Sequence, residues 1–186
     1  MAEQNKRRGS HLNSFQLNLN GEYVYAGALY RYEGAVPFRS AVKALIALGC
    51  VLIAAVIGTG FVEAPSMLGF GSFYVILPFI GEFVCAILAA WSLGLLVYHG
   101  DELREYLYHR SVERLNPCLY LTAGFAAAGV LGNLVFVLTH GFLGKTAATL
   151  ALFALKLTVI AAAVLMLRRA KAMVWHCTDV DATGDP

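Results

Sequence analysis

The sequence predicts an all-α membrane protein, a four-transmembrane-helix bundle with both ends in the cytoplasm (N-in/C-in) and a short cytoplasmic N-terminal β-hairpin. Of its 186 residues, 59% are hydrophobic and only 14% are charged, and the mean hydropathy is +0.65. A soluble domain carries about 25% charged residues, so this chain has too few to cover a water-facing surface. Four apolar runs and a one-sided distribution of cations complete the prediction.

The apolar runs predict four membrane-spanning helices. A helix needs about 20 apolar residues to cross a hydrocarbon core about 30 Å thick. Strands of a membrane β-barrel would instead be about 10 residues long with strict alternation, which the runs do not show. The predicted spans are residues 42–62, 73–98, 119–138 and 147–167.

Short signals mark where the spans begin. Asn116-Pro117 has the capping residue and first-turn proline that start a helix, and Ser72 and Thr146 are candidate N-caps of the second and fourth spans. The first apolar run begins only near Ala41 and is too long for the apolar region of a cleavable signal peptide. We therefore expect an uncleaved signal anchor.

The distribution of Lys and Arg predicts the orientation. Twelve of the fourteen cations flank the spans on one side; Lys145 lies on the other side and Lys156 lies inside the fourth span. Because cytoplasmic loops are enriched in Lys and Arg, we expect a cytoplasmic arm (residues 1–40), a membrane domain (41–168) and a cytoplasmic tail (169–186). Without an organelle signal, a bacterial cytoplasmic membrane is the expected location.

The N-terminal arm has a hairpin pattern. Phe15, Leu17 and Leu19 alternate with polar residues, and Asn20-Gly21 follows, which is a strong signal for a tight hairpin turn. Tyrosines alternate after the turn, so we expect two or three short strands. An isolated hairpin is only marginally stable in water. Its aromatic face should therefore rest on headgroups as an interfacial belt, on this chain's own loops, or on a partner protein.

The middle loop, residues 99–115, is charged but also contains apolar positions. Two interpretations are open. It forms a cytoplasmic extension of the second span or a short amphipathic helix on the inner leaflet, or it is simply a solvated helical turn.

A shift of 74 residues aligns the two halves of the chain without a gap, which is compatible with an internal repeat of parallel hairpins. Under this shift, the pair of small residues Ala54 and Gly58 in the first span aligns with the pair Ala128 and Gly132 in the third span. Small residues four apart allow helices to approach closely in lipid. We expect the first and third spans to pack through these faces, within one chain or across a homo-oligomer.

Two charges fall at the same depth in the predicted membrane. Glu82 and Lys156 each lie about ten residues, or ~15 Å, from the outer start of their span. A lone charge there costs at least about 2.5–3.5 kcal/mol, so we expect the two to pair between the second and fourth spans. Two roles are open for this pair. In the structural role, the pair fixes the register of the helices; in the functional role, Glu82 is a protonatable site for transport. Thr59 and Asn133 could extend a polar track.

No pattern in the chain points to catalysis, a cofactor or a metal. The four Cys and five His form no ligand cluster with zinc spacing. The net charge of +2 is too small to predict a nucleic-acid partner. Residues 139–146 (THGFLGKT) lack the first glycine of a phosphate-binding loop and precede a membrane helix.

These observations predict a non-enzymatic accessory or scaffold subunit of a membrane complex, with the lipid bilayer and a membrane partner as its surroundings. The alternative is a small oligomeric transporter or channel that uses Glu82 and Lys156. The two hypotheses differ in whether water reaches Glu82.

Overall fold

A computed structural model describes residues 15–17, 23–25, 27–68 and 73–178. It is built mainly from four helices that are long and apolar enough to cross a membrane, which supports the predicted multi-pass helical membrane protein. Each predicted span falls on one of them. The helices are α1 (Phe38–Phe61), α2 (Phe73–His99), α3 (Arg114–His140) and α4 (Thr146–Lys171).

The four helices form a ring. Helix α1 packs against α2 and α4, and α3 packs against α2 and α4. The α2/α3 contact is the most extensive and the α1/α2 contact is the least extensive. Helices α2 and α4 therefore lie diagonally opposite each other. This order is compatible with two hairpins related by an axis along the bundle, and the internal repeat stays a prediction.

Apolar side chains lie on both the inside and the outside of the ring, as expected when lipid is the solvent. Leu45, Leu52 and Leu152 are fully buried between helices. Leu77 and Trp91 are equally apolar but lie exposed on the outer surface of α2. Hydrophobicity alone therefore does not decide which face of a helix turns inward.

The described residues also form five short strands. Strand β1 (Phe15–Leu17) pairs with β2 (Tyr23–Tyr25) in antiparallel register, as the hairpin pattern predicts, although the Asn20-Gly21 turn lies outside the described residues. Strand β3 (Leu29–Tyr32) belongs to a separate sheet. It lies between β4 (Glu102–Arg104) and β5 (Trp175–Thr178), antiparallel to both.

The three-stranded sheet unites three distant parts of the chain at one end of the bundle. The N-terminal arm supplies β3, the segment between α2 and α3 supplies β4, and the tail supplies β5. Arg31 lies opposite Glu102 across the sheet, with their side chains 3.6 Å apart. We call this end, formed by residues 27–43, 100–114 and 168–178, the basic end of the bundle.

An aromatic cluster lies beneath the sheet. The rings of Tyr30 and Tyr108 stack with centroids 4.0 Å apart. Trp175 contacts Tyr32, Tyr108 and Phe38 edge to face, with centroids 5.6–6.2 Å apart. The aromatic residues of β3 thus rest on this chain's own segments, which is one of the three supports that the sequence left open.

The segment between α2 and α3 differs from both expectations for the middle loop. Strand β4 comes first, followed by a helical turn at Glu105–Tyr108 and a wide π-type turn at His109–Glu113 that runs directly into α3. The helical part therefore extends the third span rather than the second. Leu103, fully buried, anchors the segment to the core.

The predicted start of the third span at Asn116-Pro117 is wrong, because α3 begins at Arg114 and contains Pro117. Proline cannot donate to the carbonyl four residues earlier, which here belongs to Glu113. That residue ends the wide turn, where regular helical bonding is already interrupted. Thr146 is the first residue of α4, with Lys145 at the N-cap position, and Ser72 lies outside the described residues.

Candidate functional site

The middle of the bundle contains an ion pair. Lys156 Nζ donates a hydrogen bond to Glu82 Oε2. Glu82 is 0% exposed and Lys156 is 1% exposed. The pair joins α2 and α4, the diagonal helices of the ring, so the long lysine side chain crosses the centre of the bundle. The structure thus brings together the two charges that the sequence places at one depth.

Residues of α2 and α3 surround the end of the Lys156 side chain. Lys156 Nζ lies 5.0 Å from the centroid of the Phe79 ring, one turn before Glu82 on α2, in a cation–π contact. On α3, a β-carbon added at Gly129 would lie 3.4 Å from Lys156 Cε. This is an ordinary van der Waals distance, so the backbone of α3 at Gly129 lies close beside the end of the lysine side chain.

Helix α3 packs against α2 beside Glu82, and one oxygen of the carboxylate has no described partner. The ring of Phe125 lies against the backbone of Gly81, where an added β-carbon would stand 2.9 Å from two ring atoms. Glu82 Oε1 is buried and accepts no hydrogen bond from a described residue. An unpaired buried oxygen raises the cost of burying this carboxylate, so the Lys156 ammonium carries most of its compensation.

Thr59 and Asn133 lie apart from the ion pair and bond elsewhere. Thr59 Oγ1 donates to the Ala55 carbonyl of its own helix at 2.9 Å. Asn133 Oδ1 accepts from Ser66 Oγ at 2.7 Å, which ties α3 to the turn after α1. Neither residue hydrogen-bonds to Glu82 or Lys156, so the described hydrogen bonds form no continuous polar track.

The small residues singled out in the sequence divide into two kinds. Gly58 and Gly132 pack closely, with Leu155 of α4 and Tyr74 of α2 respectively. Ala54 and Ala128 are exposed on the surfaces of α1 and α3. Within the described chain, each pair thus contributes its glycine to helix packing, while its alanine faces outward.

Pro78 explains the close approach at Gly132, and the sequence reasoning missed it. Proline inside α2 cannot donate to the Tyr74 carbonyl. A β-carbon added at Gly132 would stand 2.6 Å from that same oxygen, so the glycine backbone lies directly against it. A Cα–H contact can partly satisfy a carbonyl in this position. The sequence did contain a signal for this contact, namely a proline inside the second span and several glycines in the third span.

Other chemical groups are dispersed. In residues 27–68 and 73–178, no three His, Cys, Asp or Glu side chains are close enough to hold a metal ion. Cys85 and Cys118 are buried, and Cys50 and Cys177 are exposed without a disulfide partner among the described residues. His109 lies between Glu105 and Glu113 on its own helical segment. The central ion pair is therefore the main buried ionic feature of the described chain.

Comparison with protein-family models, with curated proteins and with solved structures gives no match for this chain.

Proposed function

We propose that this protein is a non-enzymatic scaffold subunit of a membrane complex, which holds a small folded platform at its basic end for a partner protein. On this proposal the basic end lies in the cytoplasm, because Lys and Arg are concentrated there. One observation carries the proposal: three separate segments of the chain converge on the sheet β4-β3-β5. A simple membrane anchor would not need its loop and both flanking segments joined.

The open side of the platform supports a partner of extended conformation. Strand β5 is at the edge of its sheet, and no described strand pairs with its outer side. His176, Cys177 and Thr178 are exposed, whereas Trp175 points into the aromatic cluster. Exposed strand edges readily accept another strand through main-chain hydrogen bonds. We therefore place the partner contact at β5.

The central ion pair supports a structural role in the same scaffold. Both charges are buried inside the bundle, and Phe79 and the Gly129 backbone lie against the lysine. A transport site would need a path for water or substrate to Glu82, and the full burial of this side chain favours the structural role instead. The pair is then a device that fixes which helices meet and at what register.

Site-specific cross-linking in the native membrane tests the proposed platform. A photoreactive amino acid at Thr178, on the exposed part of β5, should give one defined, stoichiometric adduct with a partner protein. The same probe at Phe142, exposed at the opposite end of the bundle, is the matched control and should give none. Recovery of self-adducts alone, or equal adducts from both positions, would contradict the scaffold proposal.

A double variant distinguishes the transporter hypothesis from the scaffold hypothesis. Glu82→Gln combined with Lys156→Met removes both charges but keeps side chains of similar size. A scaffold with this variant should still form the Thr178 adduct at the wild-type level. If the partner contact survives while a pH-dependent flux through reconstituted protein is abolished, the transport hypothesis replaces ours.

A further inference from the structure

A second feature of the bundle is a groove between α1 and α2 on the half nearest the basic end. It has a volume of about 800 Å³ and opens sideways, toward the region that lipid would occupy. This volume is in the range of small-molecule sites, about 300–1,000 Å³. The walls are apolar or small and include Ile46, Cys50, Ala90 and Gly94. The side chains of α1 and α2 that line the groove therefore leave space between the two helices.

The groove has a floor, and it is closed at the end that lies away from the basic end of the bundle. Leu93 and Met166 lie beneath Gly49, where an added β-carbon would stand 3.0 Å and 3.7 Å from their side chains. Toward the opposite end, Phe79 of α2 closes on Gly60 of α1, with 3.4 Å between the ring and an added β-carbon. The groove is therefore a blind channel that can be filled only from the side or from the basic end.

The length of the groove matches one leaflet of a bilayer. Its lining on α1 runs from Ile46 to Ile57, which at 1.5 Å per residue is roughly 16 Å. Half of a hydrocarbon core is about 15 Å thick. A second transmembrane helix would need a groove along the full span, and the contact between Phe79 and Gly60 interrupts it. One acyl chain of a lipid fits this dimension.

Two cations lie at the open mouth of the groove. Arg39 and Lys43 precede Ile46 and Cys50 at helical spacing, so all four lie on one face of α1. Both cations are exposed, and neither forms an ion pair with a described acidic residue. Tyr98 of α2, 85% exposed, lines the groove at the same level. Basic residues beside a cleft between membrane helices recognise anionic headgroups.

We propose that this groove binds one anionic phospholipid, with an acyl chain between α1 and α2 and its phosphate on Lys43 and Arg39. The apolar channel supplies affinity for any acyl chain, and the cations supply selectivity for a negatively charged headgroup. Two copies of the chain placed groove to groove would bring their cations together, which disfavours a second copy as the occupant. The proposal does not depend on the partner contact at β5.

Native mass spectrometry of the full chain tests this site. Delipidated protein is titrated with phosphatidylglycerol and, separately, with phosphatidylcholine of the same acyl chains. We expect one tightly bound phosphatidylglycerol and a clear preference over phosphatidylcholine. Lys43→Gln should weaken phosphatidylglycerol binding roughly fivefold, the usual contribution of one cation near an anionic lipid. It should weaken phosphatidylcholine binding less, because the choline cation of that lipid already offsets the charge of its phosphate. Equal retention of the two lipids by the wild type would overturn the proposal.

A groove-filling variant tests the acyl-chain position. A β-carbon at Gly94 meets nothing within 4 Å, and Gly94 lines the groove, so Gly94→Leu projects its side chain from an open position of the groove wall. It should lower the binding of both lipids at least about tenfold. Gly124→Leu is the matched control, because Gly124 is also exposed on a long helix with nothing within 4 Å. Equal binding by these two variants, or a dimer lost only in Gly94→Leu, would contradict a lipid in the groove.

Discussion

The two sides of the helix ring are built differently. On the α2/α3/α4 side, Glu82 meets Lys156, and the Tyr74 carbonyl freed by Pro78 meets Gly132. On the α1/α2 side, the half nearest the basic end stays open and almost wholly apolar. Lipid can fill an apolar gap as well as protein can, but it cannot satisfy a charge or a carbonyl. Close packing therefore occurs where polar groups need a partner.

The largest effect is expected from Lys156→Met, which breaks the closed side at its centre. The substitution leaves the Glu82 carboxylate buried without a cation, a change that costs at least about 3 kcal/mol in buried pairs. The free energy of unfolding, measured in mixed micelles with increasing denaturing detergent, should fall by that amount.

The control for this prediction is the double variant Glu82→Gln/Lys156→Met. Removal of both partners leaves no unpaired charge, so its free energy of unfolding should return to within about 1 kcal/mol of the wild type. If Lys156→Met alone is as stable as the double variant, the ion pair does not hold the diagonal helices together.

A smaller loss is expected from Gly132→Ala. The added β-carbon would stand 2.6 Å from the Tyr74 carbonyl oxygen, and a backbone atom cannot move aside as a side-chain tip can. Overpacking of this kind costs about 1–3 kcal/mol, from which alanine recovers up to about 1 kcal/mol through its better helix propensity. The same micelle unfolding measurement should show a net loss. A stability equal to the wild type would mean that α2 and α3 are not closely packed.

The open side should respond in the opposite direction. Gly94→Ala adds a β-carbon where nothing lies within 4 Å, so only the helix propensity changes. The free energy of unfolding should rise by up to about 1 kcal/mol. A loss of stability at Gly94 similar to that at Gly132 would show that α1 closes the groove and that the two sides of the ring are equally well packed.

The smallest effect is expected at the exposed ion pair between Lys145 and Glu63, whose side chains are 3.4 Å apart at the end opposite the sheet. Exposed pairs contribute about 0–1 kcal/mol. Lys145→Ala should therefore change the free energy of unfolding by less than about 1 kcal/mol, and salt should reduce even that. A loss near that of Lys156→Met would mean that burial does not set the strength of these pairs.

The sequence was sufficient for the spans and for the ion pair. Long apolar runs make each span recognisable alone, and the matched depth of Glu82 and Lys156 follows from counting residues along two helices. The β1–β2 hairpin was also predictable, because its strands and turn are contiguous. These features depend on local patterns or on membrane depth, both of which a single sequence contains.

Strands β4 and β5 were not predictable in the same way. Each has only three or four residues, and each forms because β3 lies beside it, more than 70 residues away in sequence for β4 and about 145 for β5. The extension of α3 through Pro117 was missed for a related reason. A proline reads as a helix start locally, and only the wide turn before it allows the helix to continue.

The central ion pair also has a consequence for biogenesis. Glu82 belongs to the first helical hairpin to be synthesised and Lys156 belongs to the second. With insertion in chain order, the first hairpin would enter the bilayer before the Lys156 ammonium, the partner of its carboxylate, has been translated. A nascent chain stopped before α4 would have an unpaired carboxylate in its second helix. A membrane quality-control protease could recognise the incomplete protein by this buried charge.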